Sequence, residues 1–86
     1  MSNTKSLRSD SHLIKRSLSL SGHRTSIALE AEFWEVLQEM ATIQDLKLAT
    51  MINQIDKSRH ADHPLASTLR ILALRYALHG KRKSKV

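Results

Sequence analysis

Along residues 21–37, "SGHRTSIALEAEFWEVL", the apolar period changes: Ile27 and Leu29 alternate as on a strand, and from Phe33 onward apolar residues recur at helical spacing. All later apolar runs are helical, so the extended segment has no strand partner downstream. An isolated strand is not stable, and even a two-stranded ribbon is marginal until helices pack on it. That requirement governs the reading of the whole chain.

Upstream, "LIKRSLSLSG" alternates Leu18 and Leu20 with Ser17, Ser19 and Ser21, so its apolar residues are even-numbered whereas those of "HRTSIALE" are odd-numbered. Gly22 lies between the two runs, where a glycine bulge or a tight turn shifts the phase. The segment is therefore one bulged ribbon or a small hairpin. The bulged ribbon is preferred, with residues 24–29 as its better half.

The first helix is expected from about Ala31, with Glu30 and Glu32 favourably placed at its positive end. Phe33, Leu37, Met40 and Ala41 form its apolar stripe, flanked by Trp34, opposite Glu32, Glu35 and Glu39. After a break near Gln44 and Asp45, Leu48, Met51, Ile52 and Ile55 repeat the spacing in a second helix. Pro64 disfavours helical geometry in His63, so a third helix begins at the proline and stops near Gly80. One side of it carries Leu65, Leu69, Leu72 and Tyr76, widened by Ala66 and Ala73, and the opposite side carries Ile71, Leu74 and Leu78. A helix apolar on both sides needs two partners, and in so short a chain one of them is expected to be another subunit.

The expected organisation is a flexible polar arm over residues 1–14, a strand and two helices over 15–60, a third helix over 61–80 that completes the core or an oligomer interface, and a disordered basic tail over 81–86. The fold class is mainly α with one N-terminal strand per chain. The economical way to stabilise such a strand is to pair it with its copy across a twofold axis. An intertwined dimer is therefore expected, with helices on one face of the ribbon and the other face open.

Eighty-six residues without cysteine make one small domain lacking disulfides and thiolate metal sites, which suits a reducing cytoplasm. No secretory signal is apparent, and "LRILALRYAL", interrupted by Arg70 and Arg75, is too short to span a bilayer. No membrane association is expected; the location expected is cytoplasmic and nucleoid-associated. Charge is polarised. Residues 1–29 carry five Lys or Arg against one Asp (+4), residues 30–62 three against seven acids (−4), and residues 63–86 six against none. Basic ends around an acidic middle favour a polyanionic partner, nucleic acid being the usual one. No phosphate-cradling glycine loop or convergent catalytic set is present, so no enzyme and no cofactor are expected. The "HADH" run, residues 60–63, lacks a third strong ligand and is not assigned a metal. His23 falls on the core-facing parity and is read as a ribbon-edge residue.

"TSIALEAEFWEVLQEMATIQDLKLATMINQI" resembles the ribbon-helix-helix DNA-binding fold of Arc- and MetJ-like repressors. The Gly-His-Arg-Thr-Ser strand and the Phe-Trp pair look like a bacterial subfamily of it, over about residues 15–76. The resemblance implies a sequence-specific transcriptional regulator, a repressor, whose antiparallel ribbon enters the major groove of double-stranded DNA. It implies a homodimer with possible higher-order assembly on DNA, built on a core of Ile27, Leu29, Phe33, Trp34, Leu37, Met51, Ile52 and Ile55. Parity then turns Arg24, Ser26 and Ala28 outward as base-contacting residues, Arg24 pairing with both acceptors of a guanine. Phosphate contacts fall to Lys15, Arg16, Lys47 and Leu48, the last two at the start of the second helix. Asp45 stands where the family often has a turn glycine, and Asp tolerates left-handed geometry. The alternative is a protein-interaction module, such as a DNA-binding antitoxin of a toxin–antitoxin pair, with a partner held on the third helix.

Overall fold

A computed structural model describes residues 12–80. Its elements are β1 (Leu13–Leu20), β2 (His23–Glu30), α1 (Ala31–Ile43), α2 (Leu48–Ser58) and α3 (Leu65–Arg75), followed by a π-helical turn over Tyr76–Gly80. Of the expected arm and tail, residues 1–11 and 81–86 lie outside the described residues. Leu13 and Ile14, read as the end of the arm, are the first residues of β1.

The expectation of one strand per chain is corrected. β1 and β2 form an antiparallel hairpin within the chain, in register from Leu20 opposite His23 to Leu13 opposite Glu30. The pairing is uninterrupted, so the bulged ribbon is also set aside. Between the strands sit Ser21 (φ 51°) and Gly22 (φ 85°), the two consecutive positive-φ residues that a type I′ hairpin connection requires. A two-residue turn pairs each even-numbered position with an odd one. The parity shift at Gly22 is thus produced by the turn.

Alternation sorts the hairpin into two faces. Ile14, Arg16, Leu18 and Leu20 share the inner face with His23, Thr25, Ile27 and Leu29. Leu13, Lys15, Ser17 and Ser19 share the outer one with Arg24, Ser26, Ala28 and Glu30. Helices cover the inner face, and Leu20, Ile27, Leu29, Trp34, Leu37, Ala41, Met51, Ile52, Leu69 and Ala73 form one buried cluster. Phe33, Leu48 and Ile55 pack against it while remaining partly exposed.

Trp34 joins the hairpin to α1. Its ring is buried, its Nε1–H donates to the Ile14 carbonyl at 2.8 Å, and the Arg16 guanidinium lies over it, 5.0 Å from the centroid. At the far end of α1 the Leu46 N–H donates to the Ala41 carbonyl (2.9 Å) and the Asp45 N–H to that of Thr42 (3.0 Å). Asp45 has φ 59°. These are the two bonds and the left-handed residue of a Schellman stop, with Asp where glycine is usual. α2 is tied to the hairpin tip by the Ser21 hydroxyl donating to Asn53 Oδ1 (3.2 Å).

α3 starts directly after Pro64, and its Leu65–Leu69–Ala73 side packs on α1 and β2. Two polar links fasten it: Arg70 Nε to Glu30 Oε1 (3.0 Å), and Tyr76 Oη donating to Glu39 Oε2 (3.2 Å). On its other side Ile71 and Leu74, with Leu78 of the following turn, are about half exposed (50%, 53% and 53%), so among the described residues the second stripe is open. No helix among the described residues is long and apolar enough to cross a membrane.

Candidate nucleic-acid interface

The outer face of the hairpin is a two-stranded platform on which Lys15, Ser17, Ser19, Arg24 and Ser26 are all exposed among the described residues. The register sets Lys15 beside Ala28, Ser17 beside Ser26 and Ser19 beside Arg24. Arg24 and Ser26 are exposed and Ala28 is half-buried, so all three expected base-contacting residues lie on this one face. Residues two apart on an antiparallel strand are separated by about 6.8 Å, about twice the 3.4 Å base-pair rise. A ribbon of two strands is also of a width that the major groove admits. The face is therefore commensurate with the edges of stacked base pairs.

Apart from Leu13 at the open end and Ala28, its side chains are polar, three of them serines, with Lys15 and Arg24 as cations. The Arg24 guanidinium donates through Nη1 to Ser19 Oγ at 3.3 Å, across the strands. Among the described residues the face has one carboxylate, Glu30, which is engaged by Arg70. Glu30's own backbone N–H, and then the Arg70 guanidinium, hold its carboxyl below the ordinary glutamate value. The acid next to the platform thus has its counter-charge within the fold.

The residues expected to touch phosphate do not share one surface. Lys15 is exposed on the outer face beside Ala28. Arg16 is on the inner face with its guanidinium over Trp34. Lys47 is the exposed N-cap of α2, where no side chain caps the helix. The first intrahelical bond there runs from the Met51 N–H to the Lys47 carbonyl (3.0 Å), so the amides of Leu48, Ala49 and Thr50 are left at the positive end of the helix. The Leu48 side chain packs toward the core, which leaves its N–H as the group available to an anion. Of the acids on α1, Glu32 and Glu35 are exposed, and Glu39 meets Tyr76.

Ser17 and Ser19 belong to the outer face and were not among the residues expected there. The signal was present in "RSLSLS": if Leu18 and Leu20 turn inward, the serines turn outward. It goes unused when the first run is not recognised as the partner of the second. His60 and His63 lie with ring centroids 5.5 Å apart, and among the described residues no group of three or more His, Cys, Asp or Glu is placed to hold a metal ion.

Comparison with known proteins follows the same outline. The chain is similar to an uncharacterized protein from Bordetella pertussis Tohama I, at 28% identity and a TM-score of 0.71. The similarity covers 88% of this chain and 64% of that one, so this chain spans less than two thirds of that protein's length. No curated protein matches. The model of the Ribbon-helix-helix domain matches residues 13–77, from the first residue of β1 to beyond the end of α3. With a hairpin whose helices cover one face and leave the other open, the chain belongs to the ribbon-helix-helix domain family, a family of DNA-binding regulators whose members typically bind DNA as dimers.

Proposed function

We propose that this protein is a homodimeric transcriptional repressor that binds double-stranded DNA sequence-specifically through the outer face of its hairpin. The observation that carries the reading is that face itself: uncovered, commensurate with base-pair spacing, bearing Arg24 and Lys15, and with its one carboxylate tied to Arg70. Arg24 pairs with the two acceptors of a guanine, Ser26 hydrogen-bonds to a base edge, and Ala28 touches a thymine methyl. Lys15, Lys47 and the Leu48 amide hold phosphates and set the register of the protein on the duplex. For Arg16, exposed and with its guanidinium over Trp34, we propose a role in holding the hairpin in place of the expected phosphate contact. Repression follows from occlusion of a promoter.

The test is selection of bound fragments from sheared genomic DNA at near-physiological salt. A short inverted repeat is expected. Substituting Arg24→Ala should cost about 1–3 kcal/mol for each bidentate guanine pairing removed and relax the preference at one base pair. Uniform recovery of fragments with steep salt dependence would instead indicate binding through phosphates alone.

A second reading, a protein-interaction module such as the antitoxin of a toxin–antitoxin pair, draws support from the exposed Ile71 and Leu74 of α3 and Leu78 of the turn that follows it. It predicts a chain that is soluble only with a co-purifying partner. A monodisperse dimer in sedimentation supports the repressor reading.

A further inference from the structure

We propose that β1 is a second reading strand: Ser17 contacts a base edge, and Ser19 is a positioning residue that holds the Arg24 guanidinium in the pose that meets guanine. The inference rests on the DNA-binding reading above and extends it. It changes the interface from three side chains on one strand to a surface written by both strands of one chain's hairpin.

Three observations carry it. The first is facing. Leu20 is 3% exposed and Leu18 packs on the same core, so the strand is anchored by the two leucines that alternate with the serines. A slip of one residue would bury the serines and expose the leucines, which the core resists. Ser17 and Ser19 are thereby held on the same surface as Arg24 and Ser26.

The second is pairing. Ser17 stands directly opposite Ser26, and directly opposed residues on one face have Cβ atoms about 4.5–5.5 Å apart. Each hydroxyl both donates and accepts, so the two can engage unlike groups at neighbouring positions of the groove floor. A reader at Ser26 therefore brings Ser17 to the bases with it.

The third is the bond from Arg24 Nη1 to Ser19 Oγ, 3.3 Å across the strands. A guanidinium has five donor hydrogens, and a bidentate guanine contact consumes two. The serine bond and the guanine pair are thus compatible. An exposed arginine otherwise samples many rotamers, and holding it before binding reduces the ordering cost at the interface.

The experiment uses the full chain and in vitro selection from a random double-stranded library, with the wild type, S17A, S19A, S19T, R24A and S19A/R24A compared. Thermal melts establish that each variant is folded. The wild type is expected to select a site and R24A to lose preference at one base pair. S19A should weaken discrimination at that same base pair by about 3–10-fold, the range expected of one modest hydrogen bond. S19T, which keeps the hydroxyl, should restore it. S19A should add nothing to R24A, as a residue acting through Arg24 requires, and S17A should relax a different, neighbouring base pair. If S17A and S19A keep the wild-type profile while R24A alters it, the role of β1 is overturned and the DNA-binding reading survives. If the wild type selects no sequence, that reading falls, and this inference with it.

Discussion

Replacing Trp34 by Phe tests the joint on which the outer face depends. The indole is 3% exposed, and its Nε1–H bond to the Ile14 carbonyl is a polar link between α1 and β1. Phe keeps an aromatic ring and loses three things. Removing the pyrrole half of the indole gives up some tens of Å² of buried apolar area, about 1 kcal/mol. The hydrogen bond contributes about 0.5–1.5 kcal/mol net. Its low end applies here, because Ile14 is 43% exposed and water can reach the freed carbonyl. The Arg16 guanidinium over the ring adds about 0.5 kcal/mol, of which a phenyl retains part. The expected total is about 1.5–2 kcal/mol. Urea unfolding followed by far-UV circular dichroism measures it, at one fixed protein concentration because any self-association is linked to stability. Amide exchange adds location: protection in β1 should fall by more than protection in α3. A loss below about 0.5 kcal/mol, less than the hydrogen bond and packing together allow, would refute the assignment of Trp34 as the anchor of β1. So would an equal loss of protection in β1 and α3.

Asp45→Gly should stabilise the chain by about 0.5–1 kcal/mol in thermal melts, since glycine removes the left-handed strain at φ 59°. Gly22→Ala should destabilise it by about 1 kcal/mol through backbone strain alone, because at φ 85° an added Cβ meets no atom within 4 Å. The carboxyl of Glu30 is held below its ordinary value of 4.5, so its contribution to stability is present above that pH and is lost as pH falls toward the lowered value. The stability difference between wild type and Glu30→Gln should therefore shrink on acidification, read from melts across an acid series. Tyr76, the single tyrosine, is pushed above its ordinary value of 10 first by desolvation and then by the Glu39 carboxylate. Its phenolate absorbance should appear at higher pH than for free tyrosine, and Glu39→Gln should reverse part of that shift. The stability linked to it should be lost as pH rises through the raised value.

The helices and their inner faces were legible in the chain itself, because spacing alone selects which side of a helix is apolar. Leu37, Ala41, Met51, Ile52, Leu69 and Ala73 all repeat at helical intervals and are all buried. The outward direction of Arg24 and Ser26 was equally legible, since Ile27 and Leu29 turn inward and a strand alternates. The turn at Asp45 was also readable from what Asp tolerates. What spacing could not decide was the partner of β2. A bulge and a two-residue turn both place a glycine where the parity changes, and they differ only in whether the chain reverses direction, which is a matter of pairing between segments. Tertiary structure resolved it by closing β1 onto β2 through Ser21 and Gly22, which gave the strand a partner within its own chain and brought Ser17 and Ser19 beside Arg24. Tertiary structure also parted Arg16 from Lys15, adjacent in sequence and expected in one role: alternation turns them to opposite faces, and packing of α1 supplies the Trp34 ring on which Arg16 rests. Periodicity belongs to a segment and is written in it; pairing and stacking belong to two segments at once, and only the folded chain brings those together.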